Sequence, residues 1–409
     1  MNIWKISQQN MKAKPLYTFL SVFILALSIA LLFGIQQLET SLKYQMENNL
    51  GAIDLVIGAK GSPLQLVLSS VLHIDNPTGN ILYEDAKKIS KNPLIKTAVP
   101  IAYGDNYKGY RIVGTTDEFA ALYHGKLKKG REPKKAMEVI LGHTVAEQEN
   151  LKIGDTLLSS HGLVENDIDL HSEHLTVVGI YQPTKKVIDR LIVTNLKSVW
   201  EVHHHHNNNE EDKKEEDHLQ HHENLDEGEE ISSLLVSFRS PLALLTLPKR
   251  INEHTNMQAA LPKYELEKLY QYTGIGFKTI SWIAYMILVI SCLSIFISLY
   301  KMVKERAFDL ALLRTYGASN FQLIRMVAYE GLTIGFLAFM LGLLLSKAGL
   351  YFLFKMVETQ YKQNMLQELP YQQFLQTGAL VSIMILISIS LAIYPIIKMN
   401  ISTILSHEK

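Results

Sequence analysis

Residues 279–346 read TISWIAYMILVISCLSIFISLYKMVKERAFDLALLRTYGASNFQLIRMVAYEGLTIGFLAFMLGLLLS. Two apolar runs, 279–300 and 326–346, flank a basic stretch at 301–325. A helix rising about 1.5 Å per residue needs about 20 apolar residues to cross a hydrocarbon core, and each run has that length. Only a helix pairs the backbone of such a segment internally, so both runs predict membrane-spanning helices. In the stretch between them, Ala307, Leu310, Ala311, Arg314 and Thr315 follow one helical stripe, and Phe308, Leu312 and Tyr316 follow another. Gly317 is a place where that helix can end through a left-handed residue. Ser319 can cap a new helix that runs on into the next span. The expectation is span, short rigid elbow, span. The plainer alternative is a basic hairpin that does no more than set topology.

Working outward, two more apolar runs follow the same rule, at 15–38 and 375–397. The first carries no charge and is longer than the roughly 7–15 residues of a signal-peptide core, and Gln36-Gln37-Leu38-Glu39 offers no small-residue cleavage site. It therefore reads as a span. Lys5, Lys12 and Lys14 precede it, Lys301, Lys304, Arg306, Arg314 and Arg325 fill the elbow, and Lys398 and Lys409 follow the last span. Basic loops stay in the cytoplasm, which places both termini and the elbow there. The fold class is thus a polytopic α-helical membrane protein with four transmembrane helices and a large α+β extracytoplasmic domain between helices 1 and 2. The parts are a cytoplasmic N-terminus 1–14, span 15–38, a periplasmic domain 39–278, span 279–300, loop 301–325, span 326–346, a short outer segment 347–374, span 375–397 and a cytoplasmic tail 398–409. Glu330 lies five residues into its span. It sits either at the cytoplasmic interface, where charge costs little, or against a helix bundle or partner, where membrane carboxylates tend to be functional. Gly331 with Gly335, and Gly342 with Ser346, have the spacing that lets helices approach closely.

The segment 305–319, ERAFDLALLRTYGAS, resembles the signature of the FtsX-like/MacB-like ABC transporter permeases. That pattern runs Glu-Arg, two residues, Glu-Ile-Gly, one residue, Leu-Arg-Ala-Leu-Gly-Ala-Ser. This chain has Asp309 for the acid, Leu310 for Ile, Ala311 for Gly, and Thr315-Tyr316 before the Gly. Glu330 with its following glycines, the tail from Tyr394-Pro395 to Ile404-Leu405, and the order of one span, large domain, three spans are also similar to the family, which is related to the lipoprotein-releasing LolC/LolE-type permeases. The resemblance implies a type VII, non-enzymatic permease subunit of a bacterial inner membrane. It implies that the elbow is a coupling helix docking on an ABC ATPase dimer. It makes Glu305, Arg306, Asp309, Leu312, Leu313, Arg314, Gly317, Ala318 and Ser319 the candidate ATPase-coupling residues, and implies pairing with a second permease copy, identical or paralogous. ATP and Mg²⁺ would be bound on the partner. The chain itself has no G-x-x-x-x-G-K-[ST] phosphate loop.

In the large domain, residues 54–57 suggest a strand, Gly58, Gly61 and Pro63 a turn, and 64–72 a short apolar helix or strand. Strands are also expected at 98–101, 110–113, 138–141, 175–180 and 191–194, and helices at 84–91 and 145–150. Residues 152–156 read as a turn into a strand, and 264–278 as a helix feeding the second span. The mix suggests α+β with small sheets.

Residues 201–230 stand apart, with His203, His204, His205, His206, His218, His221 and His222 among twelve Asp or Glu. The segment cannot build a core. Imidazoles and carboxylates suit Zn²⁺, Ni²⁺ or Cu²⁺, so it is a candidate Zn site, and a solvated acidic insertion is the alternative. A second candidate cluster is His161, Asp167, Asp169, His171 and His174.

Composition excludes other classes. Forty basic and 40 acidic residues cancel, so no basic field invites nucleic acid. The lone Cys292 allows neither an internal disulfide nor a cysteine zinc finger. No G-x-S-x-G elbow or H-E-x-x-H helix occurs, so no catalytic residues are assigned. The expected task is ATPase-driven motion passed to the periplasmic domain, for export or extraction of a lipoprotein, lipid or peptide, or for zinc-linked transport. Membrane lipids and a periplasmic binding or adaptor protein are further candidate partners. The alternative is a sensor or scaffold that regulates a periplasmic partner without transport.

Overall fold

The computed structural model describes residues 9, 15–160, 170–202, 228–361 and 370–397. The chain divides into two compact units. One comprises Met1–Leu42, Tyr272–Gln360 and Asn364–Lys409, and the other Lys43–Gln271 with Tyr361–Gln363.

The first unit is helical. Its helices are α1 (Pro15–Asn48), α2 (Pro262–Glu305), α3 (Ala307–Thr315), α4 (Asn320–Tyr361) and α5 (Tyr371–Ile397). All but α3 are long and apolar enough to cross a membrane. Each buries one stripe. Ala284, Leu288, Cys292, Ile295 and Leu299 on α2 meet Val381, Ile385, Ile389 and Ala392 on α5, with Leu25, Ile29 and Leu32 from α1 and Ile334 and Ala338 from α4. Steps of three and four residues keep such positions on one face of a helix. The opposite faces, with Trp282, Met286, Ile290, Leu293 and Ile297 on α2, are exposed and equally apolar, as lipid-facing helices must be. Close approach depends on the small residues. A methyl group built on Gly331 would lie 2.5 Å from Ile389, one on Gly335 2.9 Å from Ile385, and one on Gly342 2.8 Å from Ile29 and 2.9 Å from the Ala26 carbonyl oxygen. The hydroxyls of Ser28 and Ser291 link α1 and α2 at 2.6 Å.

The helices outrun the expected spans. α4 continues to Tyr361, whereas the span was expected to stop at 346. The single charge of Lys347 does not end a helix when Leu350 and Phe354 resume the buried stripe beyond it.

The second unit is α+β, but ten of its twelve described strands join one sheet where small sheets were expected. The strands are β1 (Leu55–Ala59), β2 (Ile81–Leu82), β3 (Ile95–Tyr107), β4 (Tyr110–Thr115), β5 (Leu127–Gly130), β6 (Glu138–Leu141), β7 (Thr156–Ser160), β8 (Leu170–Tyr181), β9 (Ile192–Asn195), β10 (Glu230–Ile231), β11 (Ser233–Phe238) and β12 (Met257–Ala260). Their order is β12-β1-β11-β3-β4-β9-β6-β8-β5, with β7 pairing β3 and β8, and a separate β10-β2 pair. The joint is β3. Residues Ile95 to Ile101 pair with β11, and Ala102 to Tyr107 pair with β4 across a register shift between Tyr103 and Asn106.

The sheet is covered on both faces. On β1, Val56 enters one core, while Leu55 and Ile57 enter another. On β11, Leu235 goes with Val56, and Leu234 and Val236 with the opposite core. Ile140 and Val193 face the first core, and Val139, Leu141 and Ile192 a third. The period of two along a strand divides a continuous apolar run between two cores. Each such side chain contributes about 1.5–3 kcal/mol when fully buried. The stretch after β1 is a turn into the helix Pro63–Ser70, capped by the Ser62 side chain with proline in its first turn.

Candidate functional site

Glu305 is the last residue of α2 and faces Lys301 at 3.9 Å, an exposed pair that contributes little to stability. Arg306 is the hinge between α2 and α3, and its carbonyl accepts the first α3 bond, from the Leu310 amide. Asp309 falls inside α3. Leu310 and Ala311 turn inward. Leu310, with Leu313, packs against Val303 of α2, Leu323, Met326 and Val327 of α4, and Ile393 of α5, and Ala311 is fully buried. Arg314 is half-buried.

The turn out of α3 is closed by its own backbone. The Ala318 amide donates to the Leu313 carbonyl and the Gly317 amide to the Arg314 carbonyl, with Gly317 at φ +96°. This nested pair of bonds requires a left-handed residue after the helix, and glycine takes that shape at least cost. Two residues later Ser319 opens α4. Its hydroxyl accepts from the Gln322 amide at 3.3 Å, and the Gln322 side chain accepts from the Ser319 amide at 3.0 Å. That reciprocal arrangement is a capping box. The elbow is therefore fixed at both ends by contiguous residues.

Its outward face is apolar. Phe308, Leu312 and Tyr316 are 38%, 40% and 81% exposed, and Phe321 at the start of α4 is 71% exposed. The first three are four residues apart and share one face of the helix. Such a patch, on a segment held rigid from behind, has the form of a docking surface.

Glu330 lies in α4 with 1% exposure. Its neighbours Gly331 and Gly335 give α5 room to approach. The metal candidates fare differently. His203, His204, His205, His206, His218, His221, His222, His161, Asp167 and Asp169 lie outside the described residues. His171 falls in β8 with His174, which is exposed. Among the described residues no group of three or more His, Cys, Asp or Glu is placed to hold a metal ion.

One polar cluster was missed by sequence reading. His73, Tyr103, Arg111, Tyr123 and Arg190 meet in the large domain. The expected apolar segment 64–72 ends one residue before His73, and nothing local marks a histidine that will turn inward.

Two family models match the chain. The family model for the MacB-like periplasmic core domain matches residues 18–244, and that for the FtsX-like permease C-terminal region matches residues 281–401. Among solved structures, the periplasmic region of MacB from Actinobacillus actinomycetemcomitans is similar at 13% identity, over 54% of this chain and 94% of that one, with a TM-score of 0.35. The extracellular domain of the noncanonic ABC-type transporter YknZ from Gram-positive bacteria is similar at 12% identity, over 51% of this chain and 98% of that one, with a TM-score of 0.32. No curated protein sequence matches the chain.

Proposed function

This chain belongs to the FtsX-like permeases with a MacB-like periplasmic core domain, a type VII ABC transporter family, and we propose that it is the mechanical, non-catalytic membrane subunit of such a complex. Family membership implies an ABC ATPase as partner. The observation that carries the reading is the elbow. Phe308, Leu312, Tyr316 and Phe321 form an exposed apolar face on a helix locked by the turn at Gly317 and the cap at Ser319. We take this face to be where the ATPase docks, with Glu305, Arg306, Asp309 and Arg314 supplying charge around it.

In this reading both termini and the elbow are cytoplasmic, two permease copies pair in the membrane, and ATP-driven closure of the ATPases pushes the elbow and moves the periplasmic domain. The work is export or extraction of a lipoprotein, lipid or peptide, or zinc-linked transport. The experiment is purification of the full chain from its own host in mild detergent. An ATPase that co-purifies and turns over ATP supports the machine, and a chain purified without one supports a bare scaffold. Labelling adds orientation, because a cysteine introduced at Ser319 should resist an impermeant thiol reagent and one at Asn207 should react.

The zinc reading rests on the seven histidines of residues 203–222. Closing several imidazoles around an ion costs chain entropy, so binding should be weak and multi-site, and should fall as pH drops through about 6.5. Zinc titration of the full chain, with and without residues 202–228, tests it. Identical titrations would leave a solvated insertion as the better account.

A further inference from the structure

His73 lies just beyond the helix Pro63–Ser70 in a left-handed backbone conformation, φ +54°. Its ring is 4% exposed. Nδ1 lies 2.7 Å from the Tyr103 hydroxyl and Nε2 3.4 Å from the Tyr123 hydroxyl. Tyr103 donates to the Ser69 carbonyl, and Tyr123 donates to the Val71 carbonyl at 3.1 Å. A phenol has one proton to give. The Tyr103 oxygen is therefore left to accept from Nδ1–H. Burial first, and then the charges of Arg111 and Arg190, hold the His73 pKa well below its ordinary value, so the ring is neutral.

Two guanidinium groups complete the cluster. Arg111 sits over the Tyr103 ring, 4.9 Å from its centre, and donates to Asn76 Oδ1 at 3.4 Å. Arg190 donates through Nη2 to the Leu72 carbonyl, while its Nε is buried without a partner. Burial, followed by repulsion from Arg111, pulls the Arg190 pKa down to about 10. Among the described residues neither arginine makes an ion pair, and Asp75 is the carboxylate whose charge acts on Arg111. Asp189, next in the chain to Arg190, is committed elsewhere, accepting from the Thr184 and Lys185 amides.

This arrangement is unfavourable by itself. Desolvated like charges need a compensating charge, and a buried donor without a partner is costly. A structural cluster would supply a carboxylate between the two arginines. A binding site leaves that place for a ligand. We propose that Arg111 and Arg190 form a subsite for a phosphate-type oxyanion, with Arg190 Nε the unmet buried donor that would bind it, and Tyr103, under Arg111 and bonded to His73, the base of the site. The planar fork of arginine matches two oxygens of a tetrahedral anion. Neutrality of the imidazole fits this role, because the ring orients its neighbours without adding a third charge. Arg111 borders the exposed Asn76, and its long bond to that amide is readily exchanged for a bond to an anion. The phosphate can come from free anion or from a lipid headgroup, and the chemistry is shared.

The test uses the full chain in a maltoside detergent free of phospholipid, titrated with inorganic phosphate at constant ionic strength set by chloride. Calorimetry should show saturable binding with a matching rise in unfolding temperature. Arg190→Gln and Arg111→Gln should each weaken binding at least tenfold. If the Arg190 variant fails to fold, the Arg111 variant at the rim decides. Absence of saturation in the wild type, or unchanged affinity in the folded variants, would overturn the subsite. Phosphatidylglycerol mixed into the micelles separates the sources. Competition with inorganic phosphate supports the subsite and assigns it to a headgroup, while binding without competition supports it and assigns it to a free anion.

Discussion

The elbow takes its whole geometry from residues 305–322, whereas the His73 cluster draws on positions 69, 73, 103, 111, 123 and 190. In the elbow, each bond that matters spans three to five residues, from the Ala318 amide to the Leu313 carbonyl and from Ser319 to Gln322. In the cluster, Arg190 reaches Leu72 across 118 residues of sequence and Tyr123 reaches Val71 across 52. The elbow hides an apolar face and shows another. The cluster hides charge. The difference concerns what holds each region in place. Local capping makes a surface that stays the same whether or not a partner sits on it, and long-range packing can keep polar groups in a state that solvent would not permit.

The largest effect should come from the outward face of the elbow. Leu312→Glu combined with Tyr316→Glu leaves the inward packing of Leu310, Ala311 and Leu313 untouched. If the face docks an ATPase, those two positions are its anchors, and central interface anchors carry about 2 kcal/mol or more each. Association should drop by well over tenfold in pull-down from membranes. Arg325→Ala, close to the elbow but on α4 with its guanidinium tied to Tyr329, should change association far less. Equal loss in both variants would mean that the elbow is no more than a part of a general surface.

These two regions also mark what a reader of the sequence could and could not see. The spans, the left-handed position at Gly317 and the cap at Ser319 were visible, because each follows from neighbours in the chain. Strand β6 at 138–141 is legible in the sequence as well. The single sheet was not visible. Strand β1, next to the edge strand β12, pairs with β11, Leu55 against Val236 and Gly58 against Ser233, a partnership that nothing near either strand announces. Strands β11 and β12 and the helix Ala243–His254 carry weak local signals, since β12 is four residues long and the helix holds Pro248 in its interior. The helix Glu118–Leu122 is too short to show a period. At the cluster, Arg111 and Arg190 read as ordinary strand and loop residues, and only the folded chain brings them to His73. The family signature was legible for its spacing. The structure adds why the spacing is needed, since Gly317 and Ser319 are the two positions where the backbone itself demands a residue type.

A second effect tests the hidden charge. His73 binds its proton less readily in the folded chain than the ordinary value near 6.5, because burial and two arginines oppose the charged form. Above about pH 6.5 the ring is neutral in both states and contributes no pH dependence. Below it the unfolded chain takes up a proton that the folded chain refuses, so stability falls as pH falls, by about 1.4 kcal/mol per unit, until the depressed folded pKa is reached. The unfolding temperature of the full chain should therefore drop more steeply between pH 6.5 and 5.5 than that of His73→Asn. Asparagine removes the titrating group and tolerates the left-handed backbone. Parallel curves for the two proteins would place the ring in a setting less closed than its contacts indicate.

The smallest effect separates the elbow's backbone from its surface. Gly317 has φ +96°, and a methyl group built there meets nothing within 4 Å. Replacement by alanine therefore introduces no clash, and its cost is conformational alone, on the order of 1 kcal/mol. Valine should cost somewhat more, since a β-branched residue resists φ above zero. Neither side chain alters Leu312 or Tyr316 directly. If docking needs only the apolar face, both variants should keep near-normal association with a modest loss of local stability, read as faster hydrogen exchange at the Gly317 and Ala318 amides. If docking needs the face held at a fixed angle to α2 and α4, the same kcal/mol should appear as several-fold weaker association, because the turn must be re-formed each time the partner binds. Exchange and association measured on one set of variants distinguish the two. A rise in exchange with unchanged association would mean that the turn shapes the elbow without being required for its grip.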